Sequence, residues 1–130
     1  MYYYLTMLDV IAMNEAIMER MGGTSLLRDE GILESAVMRS QMAAHYEEAD
    51  LITQAAVLMA GIALAHAFID GNKRTALAVG TTFVQLNGQW IESKPEELGR
   101  QIEAIVTRTD SLEEVTARFA AWLHTHIRPL

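Results

Sequence analysis

The stretch from Leu51 to Ala65 constrains the fold of this chain more than any other. Read as a helix capped by Asp50 or a neighbour, it carries Leu51, Ala55, Leu58, Met59, Ile62 and Ala65, so apolar residues run nearly all the way round it and no face suits water. Such a helix has to lie in the middle of a domain. Its longest apolar run, Ala55 to Ala65, falls well short of the ~20 residues that a membrane span requires. After a break at Phe68 to Asn72, a second apolar helix is expected over Arg74 to Asn87, closed by Asn87-Gly88. With 130 residues there is room for one domain, 1–130, long enough to bury roughly two-thirds of its unfolded surface around this pair.

The rest of the chain also reads as helix. Thr6 is a candidate N-cap with Asp9 three residues on, followed by Val10, Met13, Ile17 and Met21 and stopped by Gly22-Gly23. From Asp29 a second helix shows Ile32, Leu33, Ala36 and Val37. Its pattern fades around His45-Tyr46-Glu47-Glu48, a polar interval that reads as a loop or flap, with room for a minor hairpin over residues 39 to 50. Ser93 and Glu96 offer a capping box with Pro95 in the first turn, and Ser111 with Glu114 repeats the device before Leu112, Val115, Phe119 and Leu123. No segment alternates with period two, and there are no internal repeats. The expected architecture is all-α: about six helices in one compact domain, with a short junction loop between the two central ones.

Charge and composition exclude several classes of function. A formal charge of -7, from ten Lys and Arg against seventeen Asp and Glu, argues against direct nucleic-acid binding, which draws its affinity from neutralising phosphates. Without cysteine there is neither a disulfide framework nor a thiolate metal site. Met1-Tyr2-Tyr3-Tyr4 lacks the basic region and long apolar run of a signal peptide, so the chain is expected in the cytoplasm and away from membranes.

The chemistry concentrates at the junction, His66-Ala67-Phe68-Ile69-Asp70-Gly71-Asn72-Lys73-Arg74-Thr75-Ala76. If a helix begins near Asn72, its first N–H groups are unpaired and carry the positive end of the dipole, a setting that stabilises an anion by roughly 0.3 to 1 kcal/mol. Gly71 lets the backbone turn with positive φ and approach a ligand, while Asn72, Lys73 and Arg74 add donors around the same spot. Asp70 is placed to hold a magnesium ion, which usually binds through one or two carboxylates and the substrate's own phosphates. His66 can accept a hydroxyl proton. Phe68 and Ile69 are the apolar anchors expected to fix the turn. The pattern points to phosphate chemistry.

Taken singly, these residues have plainer readings. His66 also fits a C-terminal cap, Asp70-Gly71 a simple turn, Asn72 a helix cap, and Lys73 and Arg74 solvated charges. His66 and Asp70 stand four apart, a spacing that can ligate zinc on a helix, but no cysteine or second histidine lies nearby. His45, in the polar interval, and His124 and His126, near the C-terminus, read as solvent-facing or capping residues. Met7, Met13, Met18 and Met21 fit core filling, or an apolar groove for a partner.

Together, His66 to Ala76 resemble the signature of the Fic/Doc superfamily, and Lys73 resembles its Doc branch, the death-on-curing toxins. Gly31-Ile32-Leu33-Glu34-Ser35-Ala36 is similar to the family's second helix, and Leu86-Asn87-Gly88 to the end of the helix after the motif. The resemblance, over about residues 5 to 125, implies a helical toxin that transfers phosphate from ATP to a hydroxyl of elongation factor Tu, stops translation, and is neutralised by an antitoxin. It implies His66 as general base, Asp70 as magnesium ligand, Asn72, Lys73 and Arg74 as phosphate binders, and Gly71 as the shaper of the anion hole. In the Fic branch a glycine usually stands in place of Lys73 and AMP is transferred instead, so an AMP transferase is one alternative. A catalytically inert binding module of the same fold is another.

Two departures bear on regulation. Self-inhibited Fic proteins carry a Ser/Thr-x-x-x-Glu-Gly/Asn helix, whereas here Ser93 to Glu97 is followed by Leu98 and Thr109 to Glu113 by Glu114, which points to inhibition in trans. Arg39-Ser40 stands where relatives often have Arg-Pro at the end of the second helix.

Overall fold

The computed structural model describes residues 2–130, and the backbone alone at 45–47. The chain runs α1 (Met7–Arg20), α2 (Glu30–Glu47), α3 (Leu51–Ala65), α4 (Asn72–Leu86), β1 (Gln89–Ile91), α5 (Pro95–Val106), α6 (Leu112–His126) and β2 (Ile127–Pro129). It is the all-helical domain that the sequence predicts. Met1 and the side chains of His45, Tyr46 and Glu47 lie outside the described residues, so the expected exposure of His45 has no counterpart here.

The apolar helix α3 sits at the centre, packed against α2, α4, α5 and α6. Eleven of its residues are buried, and Ala55, Ala56 and Met59 have no exposed surface. Gly80 brings α4 close to it: a Cβ there would lie 2.2 Å from Met59 Sδ, nearer than any real contact. Two core helices therefore meet at a glycine, and the motif loop connects their ends.

The caps follow the expected chemistry where the chain offers it. Thr6 and Asp9 form a complete capping box on α1, and Asp29, Asp50 and Ser111 accept from Ile32, Thr53 and Glu114 N–H groups. Three readings need correction. Ser93 does not cap α5, because Pro95 takes the first helical position and leaves Lys94 as N-cap, while the Ser93 hydroxyl turns to the Lys94 carbonyl at 3.3 Å. The motif helix begins at Asn72, not Arg74. The polar interval is neither loop nor hairpin: α2 continues through it to Glu47, and the link to α3 is confined to residues 48 to 50. Ser40, buried within α2, keeps the backbone N–H that a proline would lack, so the helix runs on past it. Outside the helices, β1 and β2 pair antiparallel, Trp90 opposite Arg128, a ladder too short to alter the all-helical class or to show as alternation in the sequence.

Candidate active site

His66 ends α3 in the left-handed conformation, φ 48° and ψ 39°, which costs a non-glycine residue about 1 kcal/mol or more. The surrounding chain holds it there. The Arg28 guanidinium donates to the His66 carbonyl at 2.5 Å. An antiparallel bridge pairs Leu27 with Phe68: Arg28 N–H donates to the Ala67 carbonyl at 2.6 Å and Ile69 N–H to the Leu26 carbonyl at 2.9 Å. The imidazole is exposed at the mouth of the loop.

Side chains alternate across an extended segment, and this separates the two expected anchors. Phe68 points inward, 1% exposed, and anchors the loop in the core. Ile69 points outward, 60% exposed, and lines the cleft; it is not an anchor.

Asn72 closes the turn on itself. Its Nδ2 donates to the Phe68 carbonyl at 2.8 Å and its Oδ1 accepts from the Phe68 N–H at 3.1 Å. With the amide committed to the loop, what Asn72 offers an anion is its backbone N–H in the first turn of α4. Gly71, at φ 79°, is the N-cap, and a Cβ on it would stand 3.1 Å from both Asn14 Nδ2 and Met18 Sδ. Positive φ and close packing both require glycine here.

Asp70 is exposed, and its Oδ1 accepts from the Gly71 N–H at 2.7 Å, so an oxygen anion already sits against the cradle. Lys73 and Arg74 are exposed in the first turn of α4; the Lys73 ammonium is paired with the Glu103 carboxylate of α5. These groups enclose a cleft of about 320 Å³ lined by Met21, His66, Ile69, Asp70, Gly71, Asn72, Lys73 and Arg74. Phe68, also singled out at the junction, lies in the core and not on this cleft. Among the described residues no three His, Cys, Asp or Glu side chains cluster to hold a metal, so a divalent ion here would lean on Asp70 and on oxygens of its substrate.

Sequence reasoning missed Asn14, Ser25, Arg28 and the buried role of Thr75. Asn14 donates to the Asp70 carbonyl and to the Thr75 hydroxyl, and accepts from Ser25. One signal was present: Asn14 falls on the same face of α1 as Val10, Ile17 and Met18, a polar residue where burial is expected. Ser25 and Arg28 carry no such mark.

The methionine groove takes a different form. Met18 is buried, and Met7 and Met13 pack against the core. Met21 reaches an open groove, of about 690 Å³, which Ile17, Arg20, Arg74, Leu77 and Ala78 also line and which adjoins the cleft through Met21 and Arg74. Of the C-terminal histidines, exposed His124 lies 3.2 Å from Asp50, and His126 stacks on Trp122 and caps its carbonyl through Nδ1 at 2.8 Å.

The sequence model of the Fic/DOC family matches residues 4–84. The chain is 35% identical over 111 residues to a protein named Toxin Doc from Mycolicibacterium smegmatis, covering 80% of this chain and 85% of that one. It is 36% identical over 89 residues to one named Protein kinase doc from Escherichia phage P1, covering 68% and 71%.

Proposed function

The chain belongs to the Fic/DOC family, and from that premise we propose that it is a Doc-type toxin that transfers the γ-phosphate of ATP to a hydroxyl of a protein. The observation that carries this reading is the placement of an exposed imidazole, His66, across one cleft from the N-terminal turn of α4 with Lys73 and Arg74 upon it. The names of the two relatives, a toxin and a protein kinase, support the same assignment.

In this mechanism His66 takes the proton of the target hydroxyl as its oxygen bonds to the γ-phosphorus. The bond from that phosphorus to the bridging oxygen breaks, and ADP leaves. The N–H groups of Gly71 to Lys73 and the cations of Lys73 and Arg74 offset the charge on the transferring group, which is where such enzymes gain most of their rate. Asp70 would hold a magnesium ion, which supplies further charge neutralisation on the phosphates. Elongation factor Tu is the proposed target, with arrest of translation as the consequence. An antitoxin segment is the proposed inhibitor, docked in the groove beside the cleft between α1 and α4, where an apolar floor ends in Arg20 and Arg74.

A transfer assay with magnesium and elongation factor Tu tests the reading by comparing ATP labelled at the γ- and α-phosphates. Label from the γ position is expected, and His66→Ala should lose about a hundredfold or more of it. Label from the α position would make the chain an AMP transferase, no label from either position would mean a wrong target or an inert module, and γ-transfer untouched by His66→Ala would remove His66 as the base.

A further inference from the structure

Asn14 is a polar side chain with no exposed surface, on the face of α1 that otherwise buries Val10, Ile17 and Met18. Its Nδ2 donates to the Asp70 carbonyl at 3.1 Å and to the Thr75 hydroxyl at 3.0 Å, and its Oδ1 accepts from the Ser25 hydroxyl. Among the described residues no buried side-chain nitrogen or oxygen lacks a partner. A fully paired amide in a helix core fixes whatever it bonds, and what Asn14 bonds is the peptide that enters the anion cradle.

We propose that Asn14 is a positioning residue that sets the orientation of the Asp70–Gly71 peptide, so that the Gly71 N–H faces the cleft and can meet a phosphate oxygen. The inference rests on the phosphate-transfer reading of that cleft. In a trans peptide the carbonyl and the N–H point opposite ways, and the described chain has no cis bond. Drawing the Asp70 oxygen inward to Asn14 therefore turns the Gly71 N–H outward, where the exposed Asp70 carboxylate accepts it at 2.7 Å.

Nothing in Gly71 itself enforces this. Its φ of 79° and ψ of 14° match the third residue of a type II turn, and the type I turn differs mainly by a flip of this one peptide. Glycine adopts both. The flipped form would aim the Asp70 carbonyl oxygen, with its partial negative charge, at the place a phosphate must occupy. The Asn14 amide selects the first form, and the 3.1 Å between its Nδ2 and a Cβ built on Gly71 shows how closely the two fit.

The test is calorimetric titration of the wild type and of Asn14→Leu with ADP and with adenosine, in magnesium. Leucine is close to asparagine in size but donates nothing, so the Asp70 carbonyl is driven to turn toward water. ADP should bind about tenfold more weakly to the variant, while adenosine, which has no phosphate, changes by less than about twofold. Unchanged ADP affinity overturns the proposal, as does an equal loss for both ligands, which general damage would give. If Asn14→Leu does not fold, Ser25→Ala carries the test, since it frees the amide to rotate. ADP alone should weaken there, and unchanged affinity is again fatal. A wild type that binds ADP no better than adenosine would sink the phosphate-transfer reading instead. The lock would then be read from Gly71 amide hydrogen exchange, which the variants accelerate if Asn14 holds the turn and leave unchanged if it does not.

Discussion

Gly71 shows how much a single position can carry. Its positive φ places the first N–H groups of α4 at the cleft, and its missing Cβ lets α1 approach through Asn14 and Met18. Gly71→Ala should cost about 1–3 kcal/mol in urea unfolding, from backbone strain and the displaced neighbours, and weaken ADP binding in the same samples. His66 and Asp70 to Arg74 were legible as a site because their residue types and order are unusual together. The partners that hold them were not: Arg28 grips a backbone carbonyl and Ser25 a side chain of another helix, contacts with no sequence period. Ile69 was misread for a related reason. Its outward direction depends on the bridge to Leu27, which forms across a gap of about forty residues in the chain.

At the level of elements, caps and close approaches decide stability. Asp50 caps α3 through the Thr53 N–H at 2.8 Å and faces His124 of α6. Burial raises its carboxyl pKa, but the bonds from Thr53 and the His124 ring together outweigh this and hold it below the ordinary 3.8. The resulting stabilisation is full above that value and is lost as the pH falls through the lower folded pKa. Asp50→Asn, which keeps a capping oxygen, should melt below the parent at pH 7 and converge with it once the pH has fallen through the folded pKa of Asp50. The α3–α4 contact at Gly80 makes a second prediction. Gly80→Ala should destabilise by about 1–3 kcal/mol, and much of that loss should vanish in the background of Met59→Ala, as a double-mutant cycle of urea midpoints would show. Capping residues and apolar periods located the helices correctly. They misplaced the end of α2, because the backbone hydrogen bonds that continue a helix need no apolar side chain at every turn.

Across the whole molecule, α3 is the axis on which the other helices assemble, and the site lies at its C-terminal end, where α4 departs. The clearest tie between the site and the outer helices is the pair of Lys73 with Glu103, both about half exposed. Glu103→Gln should change stability by less than about 1 kcal/mol, as exposed ion pairs do, while releasing the ammonium to the cleft, so that ATP binds at least as tightly in titration. The sequence by itself determined the all-helical class, the central place of α3 and the identity of the catalytic candidates, because helical periodicity, capping chemistry and a contiguous motif are local properties of the chain. Only the tertiary structure decided that Asn72 spends its amide on Phe68, that Lys73 leans toward α5, and that a buried asparagine on α1 holds the Asp70 carbonyl. Those outcomes depend on which groups meet when distant segments pack, and a buried polar group takes the partner the fold brings to it.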